Sequence, residues 1–138
     1  MLLIFLTAML SSPLHAQSSA LSEALRLQGQ AVEMVEEAYR NTRKARWKRL
    51  ARALERARLQ EGMFCDHGMA AMAIPFTGRI GICESFIGFA QRGDEEVMGV
   101  LIHEALHLIG QINECRADEE VREVMEDAGY GSYMGVYC

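Results

Sequence analysis

The chain has 138 residues, half of them hydrophobic, with four cysteines and a net charge of −5 at neutral pH. That length makes one domain with a modest core. No apolar run reaches the ~20 residues of a spanning helix. Trp47 is the single aromatic in the basic stretch 40–58, so a nucleic-acid surface is not expected.

The first sixteen residues read as a secretory signal peptide. Leu2, Leu3, Ile4, Phe5, Leu6, Met9 and Leu10 form a short apolar core, and Pro13 breaks it before the small-residue site Leu14-His15-Ala16. The alternative is an amphipathic or buried first helix. The remainder, 17–138, is expected to be one domain, secreted or periplasmic.

A helical N-terminal region is expected over 17–61. Between Ser19 and Glu61 there is no proline and one glycine, Gly29, among strong helix formers. Leu21, Leu25, Val32, Val35 and Tyr39 follow a three-four spacing, which then shifts to Trp47, Leu50, Leu54 and Ala57. The shift, near Asn41-Thr42, predicts two helices or a change of packing partner.

Charge is divided along the chain. From Arg40 to Arg58 the basic residues Arg43, Lys44, Arg46, Lys48, Arg49, Arg52 and Arg56 face a single acid, Glu55. From Asp94 to Asp127 acids dominate, opposed only by Arg116 and Arg122. The favoured reading is two helix faces that attract each other within the domain. The other is a basic helix docking on an anionic surface.

A second region, of mixed strands and helices, is expected over 62–138. Small and β-forming residues with Pro75 and Thr77-Gly78 predict a hairpin of strands over 71–76 and 79–83. Asp94-Glu95-Glu96 suits the first turn of a helix over 94–109, which Gly110 stops. Asn113 can cap a last helix over 114–128, ended by Gly129.

Cys65, Cys83, Cys115 and Cys138 make an even set for two disulfides in an exported chain. Three connectivities are open, and proximity along the chain favours Cys65–Cys83 with Cys115–Cys138. A thiolate zinc site would need pairs spaced two to four residues apart, and none is.

The chemistry concentrates in His103-Glu104-Ala105-Leu106-His107. Histidines four apart share one helical face, so both imidazoles reach one ion. Glu104 stands beside that ion, placed to take a proton from water that the metal has acidified. Candidates for a third ligand are Asn113, Glu114, Asp118 and Glu119; asparagine is a poor zinc ligand.

The segment Glu114-Cys115-Arg116-Ala117-Asp118 resembles the second signature of the gluzincin metallopeptidases. The resemblance implies Glu114 as third ligand and Asp118 as the hydrogen-bond partner of a zinc histidine. Gluzincins place a longer segment between the second histidine and this glutamate, so here a tight turn at Gly110 is required. Asp118 is the reserve ligand. The run Arg79-Ile80-Gly81-Ile82-Cys83-Glu84-Ser85-Phe86, followed by the His103 helix, resembles the strand-to-helix layout of the deuterolysin-like aspzincins. Their Gly-Thr-x-Asp motif is absent, so only the layout is implied: a strand along the cleft that pairs with an extended substrate.

Together these readings describe an α+β, zincin-like, mostly helical fold with a small hairpin or sheet beside the active-site helix. The function expected is that of an exported zinc metallopeptidase, with one Zn²⁺ per chain on His103, His107 and Glu114, Glu104 as general base, and a peptide or protein substrate. Tyr130, Tyr133 and Tyr137 are candidates for stabilising an oxyanion or for covering the core. The alternative is a non-enzymatic, zinc-stabilised binding module docking on an anionic partner through 40–58. There, Asp118 or His67, otherwise a loop residue, would close the metal site. In a third reading the basic N-terminal half is a pro-segment over the cleft.

Overall fold

The structure, a computed structural model, describes residues 18–66, 68–131, 133–135 and 138. The apolar segment 1–16, His67 and Tyr137 therefore lie outside the described residues.

Helix α1 spans Ser19–Thr42 and α2 spans Ala45–Arg56, with the break where the apolar register shifts. Ser18 caps α1 by accepting the Leu21 N–H, and Arg43 ends it in the left-handed conformation. The buried stripe Ala24, Leu27, Ala31, Met34, Val35 and Ala38 packs against Trp47, Leu50 and Leu54 of α2. Small alanines in that stripe let the helices approach closely.

The stretch expected to be helical up to Glu61 ends earlier. Gln28 of α1 donates its amide hydrogens to the carbonyls of Leu54 (2.9 Å) and Ala57 (2.8 Å). Those carbonyls at the end of α2 thereby gain partners, Ala57 turns extended, and Arg58–Glu61 becomes strand β1.

Strands β2 (Ala71–Ile74) and β3 (Arg79–Ile82) form the antiparallel hairpin, with Met72 opposite Gly81 and Ala73 opposite Ile80. β1 runs parallel to β3 on its other side, giving the order β1-β3-β2. β3 is thus the inner strand, with Ile80 and Ile82 buried, and β2 is an edge. A short helix α3, Phe86–Ala90, follows, where no element was expected. Phe86 anchors it by full burial.

Helix α4, Asp94–Leu108, is buried from Glu96 through Leu106 and packs against α1, α2, α3, α5 and β2. Such a helix reads as apolar on all sides because it lies at the centre. Gly110, at φ +99°, closes it, and the Gln111 N–H returns to the Leu106 carbonyl at 3.0 Å. Asn113 then caps α5, Glu114–Asp127, by accepting the Arg116 N–H at 2.8 Å.

The two disulfides are Cys65–Cys83 and Cys115–Cys138. Lys44 reaches Glu123 and Asp127 of α5, both at 2.7 Å, and Arg46 pairs with Glu120. Trp47 donates its indole N–H to Asp127 at 2.7 Å. The basic and acidic segments thus meet inside the fold. The chain has the expected α+β class: five helices and a three-stranded sheet among the described residues.

Candidate metal centre

His103 and His107 project from one side of α4, with ring centroids 4.9 Å apart and planes at 71°. Glu114 opens α5 just past the tight turn, so its carboxylate reaches back to both rings. The Glu114 Oε2 atom lies 2.8 Å from His103 Nε2 and 3.1 Å from His107 Nε2, and the two Nε2 atoms are 3.1 Å apart. Ligand atoms about 2.1 Å from a zinc ion, at tetrahedral angles, stand roughly 3.4 Å apart. The triangle therefore has the size of one face of a metal's coordination shell, and this group could hold a metal ion.

The opposite edges of both rings are occupied. His103 donates its Nδ1 hydrogen to Asp118 Oδ1 at 2.7 Å, and His107 donates its own to the Gln111 carbonyl. Those acceptors assign the ring hydrogens to Nδ1 and turn both Nε2 lone pairs towards the Glu114 oxygen. Three acceptor atoms crowded together repel one another until a cation or a proton separates them.

Asp118 is fully buried on the far edge of His103, away from the three converging atoms, whereas the Glu114 side chain is half exposed. Asn113 serves as helix cap and Glu119 pairs with Arg116 at 2.8 Å. Tyr133 is buried, with its hydroxyl lacking a hydrogen-bond partner among the described residues. Tyr130 is exposed.

Glu104 is buried beside the histidines, and its Oε2 accepts the Ala73 N–H of β2 at 2.7 Å. Burial pushes its carboxyl above the ordinary carboxylate range, against the opposing pull of His103 and His107. A proton acceptor of raised basicity thus sits next to the metal-sized triangle.

Glu104, His107 and Glu114 open onto a groove of about 520 Å³ between β2 and the end of α4. Its walls are apolar: Met69, Met72, Pro75 and Phe76 on one side, Leu108 and Ile112 on the other. Neither Tyr130 nor Tyr133 lines it, and neither does any residue of α1 or α2, so the N-terminal half packs into the core rather than over the groove.

Three supporting contacts were not legible in the sequence: the Ala73 N–H on Glu104, the Gln111 carbonyl on His107, and the Cys138 N–H on Asp118 at 2.9 Å. All three use backbone groups, which every residue carries, so no residue type signals them. Compared with family models, curated proteins and solved structures, the chain shows no match.

Proposed function

We propose that the chain is an exported, zinc-dependent peptidase with a zincin-like arrangement of active-site helix, third-ligand helix and edge strand. The observation that carries this reading is the triangle of His103 Nε2, His107 Nε2 and Glu114 Oε2, 2.8 to 3.1 Å on a side, with both Nδ1 hydrogens engaged elsewhere. Two imidazoles and a carboxylate suit zinc, and three protein ligands leave a position for water or substrate.

A bound zinc supplies Lewis acidity, acidifying a water and polarising the carbonyl to be attacked. Glu104 takes a proton from the attacking water as its oxygen bonds to the carbonyl carbon. The carbon–nitrogen bond then breaks, and Glu104 passes that proton to the departing amine. The Ala73 N–H holds the carboxylate in place throughout. The groove walls favour a substrate with a bulky apolar side chain next to the scissile bond, and edge strand β2 runs along that groove, where an extended peptide would lie beside it. The disulfides are consistent with an extracellular or periplasmic site, and no helix among the described residues is long and apolar enough to cross a membrane.

The competing reading is a zinc-stabilised binding module. It draws on Lys48, Arg49, Arg52 and Arg56 of α2, which are exposed and have no ion-pair partner among the described residues. A structural ion, however, is closed off from solvent, whereas His107 and Glu114 face an open groove. Peptide cleavage by the zinc-loaded protein, screened on a library with varied apolar positions, decides between them. Turnover lost in Glu104→Gln supports the peptidase, and zinc binding without turnover in the wild type supports the module.

A further inference from the structure

The C-terminal tail folds back beneath the metal centre. The Tyr133 ring lies flat on α4 at Gly99, where any Cβ would run into it. The Met134 N–H goes to Glu96 Oε1 at 3.0 Å, and Arg122 of α5 donates to the carbonyls of Tyr133 (3.3 Å) and Met134 (3.4 Å). Gly135, at φ +95°, passes so close that a Cβ there would stand 2.8 Å from Arg122 Nη2 and 3.1 Å from Asp118 Oδ2. The tail ends at Cys138, bridged to Cys115, the residue directly after Glu114. The Cys138 N–H donates to Asp118 Oδ2 at 2.9 Å, while Asp118 Oδ1 takes the His103 Nδ1 hydrogen at 2.7 Å.

We infer that the tail, fastened by the Cys115–Cys138 disulfide, is a positioning strap for Asp118 and, through Asp118, for the metal ligand His103. The inference rests on the metal reading above. One carboxylate spans the strap and the ligand. With one oxygen held by the tail, the other is fixed where it orients the imidazole. Cys115 is exposed, so the fastening is open to thiol reductants while the core stays buried. Loss of the bridge frees the tail, leaves Asp118 less constrained and weakens the metal site without unfolding the helices that carry it.

The test is zinc affinity, measured by competition with a chromophoric chelator, in a double-mutant cycle. The variants are Cys115→Ser/Cys138→Ser, Asp118→Asn and the combination, with Cys65→Ser/Cys83→Ser as control and helix content followed by circular dichroism. Outer-shell partners of this kind are worth about 10- to 100-fold in metal affinity. The expected result is a loss of that size in the first two variants and no further loss on combining them, because both act through one carboxylate. The control keeps wild-type affinity. Should the Cys115→Ser/Cys138→Ser protein lose its helices, Gly135→Ala, which keeps the bridge but displaces the tail from Asp118, is expected to give the same loss. Wild-type affinity in a folded variant lacking the bridge, or losses that add, would overturn the strap and leave the metal site standing. A wild type that binds no zinc would overturn the metal reading itself.

Discussion

In the proposed peptidase Glu104 is the proton acceptor, and its surroundings make it separable from the residues that could hold the metal. It touches the edge strand through the Ala73 N–H and stands outside the triangle of His103, His107 and Glu114. In Glu104→Gln the amide oxygen can still accept that N–H, so the pocket keeps its shape while the proton acceptor is lost. We predict a fall in peptide hydrolysis of about 10²- to 10⁴-fold with zinc content unchanged, read by cleavage assay beside elemental analysis. Gly99 makes a different residue-scale case. The Tyr133 ring occupies the space of a Cβ there, so Gly99→Ala must push the ring off α4. The expected cost is about 1 to 3 kcal/mol of stability, measured by denaturant unfolding. An unchanged midpoint would show that the tail does not pack on α4 as described.

Among the elements, those whose ends carry chemical punctuation were legible. Acids opening α4, Gly110 closing it and Asn113 opening α5 each name a backbone requirement, and the helices run between those marks. The hairpin was legible for the same reason, through Pro75 and Gly78. β1 was not. Arg58-Leu59-Gln60-Glu61 has the composition of a helix, and its strand conformation depends on Gln28 capping the end of α2 and on pairing with β3. Both partners are distant in sequence, so nothing local announces them. α3 escaped notice because burial of Phe86, not propensity, holds it. At the candidate site, the convergence of His103, His107 and Glu114 was legible from side-chain type and spacing, while the backbone groups that orient them were not. The α5 cap lends itself to a test. Asn113→Ala removes the acceptor for the Arg116 N–H at the turn that presents Glu114. We predict a loss of about 1 kcal/mol in stability together with weaker metal binding, followed by thermal melts with and without zinc. A stability loss with unchanged metal affinity would mean that the turn holds Glu114 without its cap.

Over the whole molecule, one core joins the N-terminal helices, the sheet and the site-bearing helices. Leu27, Trp47, Leu50, Ile80, Phe86, Leu101 and Met125 belong to a single buried cluster. The candidate metal-binding residues on α4 and α5 are therefore held by α1 and α2, and Lys44 and Arg46 tie the start of α2 to α5 at the edge of that core. The disulfides act at its margins: Cys65–Cys83 ties the loop after β1 to the end of β3, across 18 positions. Opening it by Cys65→Ser/Cys83→Ser is predicted to cost about 3 kcal/mol, the loop-closure entropy of a bridge of that size, and to leave zinc affinity unchanged. Equal stability with and without the bridge would contradict that assignment. The most direct test of the account is metal content: elemental analysis of the purified protein after exposure to zinc and removal of excess, beside His103→Ala and Glu114→Ala. The account predicts one zinc per chain in the wild type and none retained in either variant. A folded wild type without metal, or a variant that keeps its full complement, would contradict it.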